Sequence, residues 1–169
     1  MSTDTVTFEV AGAKVTLPAA TISKLWLEQL EAPNPFVFDT SYAPPIGTLW
    51  PAHGGIYAGI VRGDDGRPDY RLIVADTDHA PMKWQAAVDW AKGLDCTAGH
   101  RDFTLPRRKE QAVMFGNVPE LFQKEWYWSC EQYAGDDESA WVQTFYDGTQ
   151  SLNHEDYESR ARAVRRVPI

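Results

Sequence analysis

The sequence predicts a mixed α+β domain that combines short strands with two short helices. Alternating apolar residues at 55–61, 70–75, 126–130, 140–146 and 161–167 are typical of strands, whereas the apolar spacing at 81–94 and 106–116 is typical of helices. The 169 residues, of which 43% are hydrophobic and 24% charged, are enough to bury one core. We therefore expect a folded globular chain of about one domain.

The first 32 residues predict a separate small unit. Residues 5–17 alternate between apolar and polar side chains around Gly12, which predicts a β-hairpin. Beyond Pro18 the spacing becomes helical. The apolar face of this predicted helix carries Ile22, Leu25, Trp26 and Leu30. Because such a face is too large to leave in water, we expect this unit to attach the protein to another or to form a homo-oligomer.

A proline-rich connection is predicted over residues 33–51. Five prolines fall in this stretch, which excludes a regular helix. We therefore predict three parts of the chain, namely the hairpin-helix unit at 1–32, a linker at 33–51 and the main domain at 52–169.

The main domain begins with a predicted hairpin and two helices. The strands at 55–61 and 70–75 flank a loop rich in glycine and aspartate. We predict that Pro81 opens a helix running to about Leu94 with Trp84 on its inner side. The second helix is predicted from Pro106 to Gly116. Its apolar residues are Ala112, Val113 and Phe115.

The net charge of −8 is confined to one segment. Residues 126–159 contain eight acids and no Lys or Arg, so the remainder of the chain balances 16 acids against 16 bases. A segment of this kind disfavours binding to nucleic acid, which depends on neutralising phosphates. Basic or polar partners fit better.

Aromatic residues are concentrated in the same segment. It holds eight of the 21 aromatic side chains. Trp126, Trp128, Trp141 and Phe145 are predicted to be core residues. The loop residues of this segment carry the functional hypothesis, because rigid aromatic contacts beside adaptable hydrogen-bonding groups favour binding.

No metal, cofactor or catalytic group is predicted. The four histidines are scattered and no Cys-x-x-Cys or His-Glu-x-x-His occurs, which disfavours zinc. The aspartates at 64, 65, 69, 76 and 78 fit solvated turns better than a calcium site. Cys96 and Cys130 are interpreted as reduced packing residues rather than nucleophiles. We accordingly predict that the protein is not an enzyme.

A basic run near the C-terminus requires charge partners. If residues 160–167 form a strand, Arg160, Arg162 and Arg166 share one face. Pairing with the preceding acidic segment would then compensate both charges. A phosphate-binding strip is the alternative.

Three groups of motifs occur in the same order as in a known family. They are Lys83-Trp-Gln-Ala-Ala-Val-Asp-Trp-Ala-Lys-Gly-Leu, then Asp102-Phe-Thr-Leu-Pro-Arg-Arg-Lys-Glu-Gln, and finally Trp126-Tyr-Trp-Ser with Ala140-Trp-Val-Gln-Thr-Phe-Tyr-Asp-Gly and Arg162-Ala-Val-Arg-Arg-Val. Over about residues 50–169 the chain resembles the domain of unknown function shared by bacterial and phage proteins and by the C-terminal domain of collagen-like adhesins. It departs from the family pattern at Phe103-Thr-Leu-Pro-Arg and at Cys130.

The resemblance implies a C-type-lectin-like fold, similar to that of formylglycine-generating enzymes and of phage receptor-binding proteins. Such a fold would have two short helices, a small twisted antiparallel sheet and long loops, the last of which form the ligand surface. The calcium motifs of true lectins and the catalytic cysteine pair of the enzymes are missing. Taken with the acidic-aromatic loops at 131–158, this predicts a ligand-binding set of nine residues, namely Tyr133, Asp136, Asp137, Glu138, Asp147, Gln150, Asn153, His154 and Tyr157.

The leading functional hypothesis is a phage- or prophage-type binding protein, virion-associated or resident in the host cytoplasm, that holds a protein or glycan ligand. The alternative is an intracellular inhibitor of a host defence or nucleic-acid-handling protein whose acidic surface imitates phosphate charge. The N-terminus lacks the pattern of a signal peptide, and no apolar stretch is long enough for a transmembrane segment, so we expect no membrane partner.

Overall fold

The structure is a computed structural model that describes residues 5–10, 13–19, 21, 42–94 and 99–169. The chain divides into two compact units, residues 1–41 and residues 42–169. The division lies within the segment predicted as a linker.

The first unit contains the predicted hairpin. Strands β1 (Thr5–Val10) and β2 (Ala13–Pro18) pair antiparallel, with Val10 opposite Ala13. Hydroxyls of Thr7 and Thr16 meet across the pair at 2.8 Å. The predicted turn residue Gly12 and the predicted helix face from Ile22 to Leu30 lie outside the described residues.

The second unit is built on a seven-stranded sheet. Its strands are β3 (Leu49–Trp50), β4 (Gly55–Val61), β5 (Tyr70–Met82), β6 (Trp126–Tyr133), β7 (Asp136–Thr144), β8 (Gln150–His154) and β9 (Ser159–Pro168). They lie in the order β3-β4-β5-β9-β6-β7-β8. Every pairing is antiparallel except the short parallel contact of β6 with β9. The α+β class is therefore confirmed, but the prediction of a small sheet is wrong.

Two helices cover opposite faces of this sheet. Helix α1 (Trp84–Lys92) packs in a cluster with Trp128, and helix α2 (Arg108–Asn117) packs in a cluster with Tyr127. Because Tyr127 and Trp128 are consecutive strand residues, their side chains point to opposite faces. Each face of the sheet thus contributes to a core.

Both helices differ in detail from the prediction. Pro81 lies at the end of β5 rather than in the first turn of α1, since β5 continues beyond residue 75 to Met82. In α2 the buried residues are Glu110, Gln111 and Met114, so the apolar residues chosen from the sequence do not define its inner face. Gln111 is held there because its Nε2 donates to the backbone oxygen of Tyr127 at 2.9 Å.

The last third of the chain is more regular than predicted. The strand predicted at 140–146 forms the second half of β7, whereas the rest of residues 131–158, interpreted from the sequence as loops, also contains the end of β6, the start of β7 and the strand β8, which the sequence analysis missed. Trp128 and Phe145 are buried as predicted. Trp126, however, is 40% exposed, and Trp141 is partly exposed under the guanidinium of Arg108, whose Cζ lies 3.4 Å from the ring centroid.

Among the described residues, no helix combines the length and hydropathy needed to span a membrane.

Candidate functional site

The candidate site is one end of the sheet, which we call the acidic end and define as residues 133–138 and 154–158. The first stretch is the tip of the β6–β7 hairpin, and the second joins β8 to β9. Tyr133, Asp136, Asp137, Glu138, His154 and Tyr157, six of the nine residues predicted to bind ligand, lie here. The structure therefore brings most of the predicted set together.

The hairpin tip is shaped by a glycine and an aspartate. A Cβ added at Gly135 would lie 2.8 Å from the ring of Tyr133, so the ring occupies space that only glycine leaves free. Asp136 accepts hydrogen bonds from the backbone N–H of Glu138 at 3.0 Å and from the hydroxyl of Ser139 at 2.8 Å. These two bonds stabilise the carboxylate and hold the pKa of Asp136 below its ordinary value.

The second stretch is tied to the first by hydrogen bonds. The N–H of Glu155 donates to the backbone oxygen of Glu138 at 2.8 Å, and Nε2 of His154 lies 3.3 Å from the Glu138 carboxylate. A turn closes where the N–H of Tyr157 donates to the oxygen of His154 at 2.9 Å. The acidic end is consequently one connected surface rather than two independent loops.

The acidic end exposes both charge and aromatic rings. Asp136, Asp137, Glu138, Asp156 and Glu158 are exposed, as are Tyr133 (39%) and Tyr157 (65%). Lys83, at the start of α1, donates from Nζ to Asp156 at 2.8 Å. This hydrogen bond, with the charge of the ammonium group, holds the pKa of Asp156 below its ordinary value.

The other three predicted residues lie outside the acidic end as defined, and their side chains serve the fold. Asp147 caps the β7–β8 turn by accepting from the N–H of Thr149 at 3.0 Å. Gln150 donates to the backbone oxygen of Arg108 and to Gln143, both at 2.8 Å, at the opposite end of β8 from the acidic end. Asn153 lies next to the acidic end, partly buried, and donates to the hydroxyl of Ser159 at 3.2 Å.

The arginines of β9 do not neutralise the acidic segment, so that part of the prediction is wrong. Arg160 binds Asp78 at 3.1 Å and Glu125 at 3.0 Å, which are acids outside residues 126–159. Arg165 binds Asp102 at 2.6 Å. The described ion pairs of β9 thus use acids from the balanced remainder of the chain, and the described Lys and Arg pairs of the acidic end involve Asp156 alone, through Lys83.

Arg162 is held by backbone oxygens rather than by a carboxylate. It is 5% exposed and donates to the oxygens of Ala75 at 3.0 Å and Asp76 at 2.9 Å, and also to that of Leu121. Burial lowers the pKa of this guanidinium, although the group is basic enough to stay charged.

A second concave feature, which sequence reasoning missed, surrounds a buried carboxylate. Glu110 is fully buried and accepts from Nε and Nη2 of Arg166 at 2.6 and 2.7 Å, from the N–H of Arg107 at 2.7 Å, and from the hydroxyl of Tyr70. Burial and the bond to Glu110 raise the pKa of Tyr70. An open cleft of about 250 Å³ lies beside this network, with Pro68 and Pro168 among its walls.

Three of the five aspartates weighed as calcium ligands, Asp64, Asp69 and Asp78, have other partners in the structure. Asp64 binds Nζ of Lys109 at 2.6 Å and Nη1 of Arg107 at 3.2 Å. Asp69 accepts from the N–H of Gly63 at 2.9 Å. Within the described ranges, no group of three or more His, Cys, Asp or Glu side chains has the arrangement of a metal site.

The two cysteines are only partly covered by the structure. Cys130 is a free, partly buried thiol in β6, and burial raises its pKa, which reduces the thiolate fraction. Cys96 lies outside the described residues.

A scan of protein-family models found no match to this chain, and a search of curated proteins also found none.

Proposed function

We propose that this is a non-enzymatic binding protein whose acidic end engages a basic surface of a protein ligand. The observation that carries the proposal is the separation of charge. Arg160, Arg165 and Arg166 of β9 pair with Asp78, Asp102, Glu110 and Glu125, whereas five acids of the acidic end face solvent, namely Asp136, Asp137, Glu138, Asp156 and Glu158. A concentrated negative field of this kind accelerates encounter with a cationic partner and selects against anionic ones.

The aromatic side chains of the acidic end supply contact area for such a ligand. Tyr133 is backed by Gly135 and meets the ring of Trp141 edge-on, with centroids 6.1 Å apart. Tyr157 lies 5.8 Å from the ring of His154, centroid to centroid. Rings held in this way lose little conformational freedom on binding, which favours their use at an interface.

The finer assignment of the fold is part of the same proposal. Two helices and a mainly antiparallel sheet, with the final strand β9 paired centrally to β5, support a C-type-lectin-like domain. On this proposal the protein is of phage or prophage type and acts on the virion or in the host cytoplasm.

The N-terminal unit would attach the protein to another or join copies of it. Light scattering can test this role by comparing the full chain with a chain that starts at Pro45. An unchanged oligomeric state would remove that role.

The test of the acidic end compares two triple variants of equal charge. One carries Asp137→Asn, Glu138→Gln and Glu158→Gln, and the control carries Asp65→Asn, Asp76→Asn and Glu120→Gln at exposed positions outside the acidic end. Asp136 is kept, because its carboxylate shapes the hairpin tip.

Each triple variant and the unchanged protein serve as bait for host proteins and for surface glycans, at low and high salt. We expect a basic protein to be retained by the unchanged protein and by the control, to be lost with the acidic-end variant and to be released by salt. Equal retention by both variants, or retention of acidic partners, would refute the proposal. If the retained protein is a defence or nucleic-acid-handling protein, the inhibitor hypothesis is favoured over a receptor-binding role.

A further inference from the structure

Strand β8 ends the sheet with an open edge. It is the last strand in the order β3-β4-β5-β9-β6-β7-β8, and within the described residues no strand pairs with its outer side. The phase of its pairing follows from two bonds to β7, in which the N–H of Thr144 donates to the oxygen of Thr149 at 2.9 Å and the N–H of Glu155 donates to that of Glu138 at 2.8 Å.

These two bonds decide which backbone groups face outward. In an antiparallel pair, hydrogen-bonded and non-hydrogen-bonded positions alternate, so residues 149, 151, 153 and 155 direct their backbone groups toward β7. The N–H and C=O groups of Gln150 and Leu152, together with the N–H of His154, therefore point away from the sheet. They form a short row of backbone donors and acceptors at its edge.

This edge lacks the usual devices that prevent a further strand from adding. The sequence Gln-Ser-Leu-Asn-His contains no Lys, Pro or Gly, and its register with β7 is unbroken over Gln150–His154. Leu152 is 38% exposed at its centre. It borders a shallow cleft of about 280 Å³ that is also lined by Trp126, Val142, Ser151 and Asn153, where a side chain of an added strand would find apolar contacts.

The charges around β8 select the occupant. Asp147 precedes the strand, Glu155 and Asp156 follow it, and Glu138 lies beside its end. A second copy pairing antiparallel through the same edge would bring Asp147 of each copy toward Glu155 and Asp156 of the other, and the repulsion disfavours it. A strand with basic side chains would instead meet opposite charge, mainly at the His154 end, because at the Gln150 end the guanidinium of Arg108 donates to the Gln150 side chain at 3.1 Å.

We propose that β8 is the docking strand for an extended basic segment of the partner protein, which adds to the sheet edge by backbone hydrogen bonds. This inference rests on the proposed function and specifies how the partner binds. Backbone pairing to Gln150 and Leu152 gives affinity, the cleft beside Leu152 takes an apolar side chain, and the acidic end orients the basic residues.

The variant that tests the proposal is Leu152→Pro. Proline removes one outward N–H and obstructs an added strand, while the bonds of β8 to β7 are kept, because the N–H of residue 152 does not take part in them. Leu152→Ala is the matched control, since it removes the apolar side chain but keeps the backbone donor.

The probe is a synthetic peptide of alternating lysine and valine with the length of β8, titrated into the full-length labelled protein and followed by NMR. We expect saturable shifts and slower hydrogen exchange at the amides of Gln150 and Leu152. Leu152→Pro should weaken binding by about tenfold or more, and Leu152→Ala by less than about threefold. The same peptide N-methylated on both edges should not bind, which provides the test even if Leu152→Pro fails to fold.

The outcomes separate this inference from the proposed function. If N-methylated and unmodified peptides bind equally, or folded Leu152→Pro binds like the unchanged protein, strand addition is overturned. If in that case the acidic-end variant still abolishes binding, the basic partner is recognised by side chains alone and the proposed function survives. A protein that dimerises through β8, with Leu152→Pro abolishing the dimer, would identify a second copy as the occupant and also overturn the inference.

Discussion

Neutralising Glu110 should destabilise the protein substantially. The carboxylate is fully buried and receives four donors, from Tyr70, from the backbone of Arg107 and twice from Arg166. In Glu110→Gln the amide nitrogen must replace one of the two oxygens. It then faces a guanidinium N–H instead of accepting from it, and Arg166 loses its counter-charge.

The magnitude follows from what remains around Arg166. Breaking a buried ion pair typically costs about 3–5 kcal/mol. The Arg166 side chain is 26% exposed and keeps its hydrogen bond to the hydroxyl of Thr104, so we expect the lower end, about 3 kcal/mol. For a chain of this size that loss lowers Tm by about 6–12 °C.

Urea unfolding of the full chain, followed by circular dichroism, measures this loss. Glu120→Gln serves as the control, because Glu120 is exposed and should change stability by less than about 0.5 kcal/mol. A double-mutant cycle with Arg166→Met should give a coupling of about 2 kcal/mol or more. In the Arg166→Met background the Glu110 carboxylate already lacks its partner, so Glu110→Gln should cost less there than in the unchanged protein. A loss below about 1 kcal/mol, or an equal loss in both backgrounds, would refute the reasoning.

Three further predictions concern a turn, a histidine and a thiol. In the same urea assay, Gly63→Ala should lower the free energy of unfolding by about 2 kcal/mol or more, because the added Cβ would lie 2.0 Å from a backbone oxygen of the β4–β5 loop. The control is Gly116→Ala in α2, whose added Cβ has no neighbouring atom within 4 Å, so it should be neutral or stabilising. Burial and nearby positive charges lower the pKa of His53 from 6.5. As the pH falls below about 6.5, the unfolded chain therefore binds the proton more readily than the folded chain, and stability falls. His53→Gln should weaken the dependence of the urea midpoint on pH, and an equal dependence in the variant and the unchanged protein would contradict this. In a Cys96→Ser variant, Cys130 can be alkylated with iodoacetamide without interference from the other thiol. Because burial raises the pKa of Cys130, its alkylation near neutral pH should be much slower in the folded variant than in the same variant unfolded, and equal rates would show that the thiol is accessible.

The strands with strong local patterns could be predicted from sequence. The β4–β5 hairpin combines β-branched residues with a loop rich in Gly and Asp, and it forms where the pattern places it. Strand β8 could not be found in this way, because Gln-Ser-Leu-Asn-His has little strand propensity of its own. Its conformation depends on the register with β7, which is tertiary information.

The inner face of α2 shows a second limit. A helical pattern identifies a buried face by its apolar residues, yet Glu110 and Gln111 are buried there, where partners distant in sequence bind the Glu110 carboxylate and the Gln111 amide nitrogen. The spacing of apolar residues in the sequence contains no information about such partners. For the same reason the predicted ligand set was only partly assembled, since neither Asp147 nor Gln150 signals in sequence that its side chain is used by a turn or by Arg108.

The position of β9 explains why the negative charge collects at one end of the sheet. Because β9 lies between β5 and β6, its arginines reach acids on neighbouring elements and backbone oxygens of β5, and these contacts hold them within the body of the unit. The strands β7 and β8 lie farther toward the edge and contain no Lys or Arg, so their flanking acids remain in solvent. Like charges around an open strand discourage pairing between copies, while they attract a basic chain to the same backbone groups. The excess of acids over bases in the sequence is therefore located beside the open edge of β8, where it favours a basic strand over a second copy of the chain.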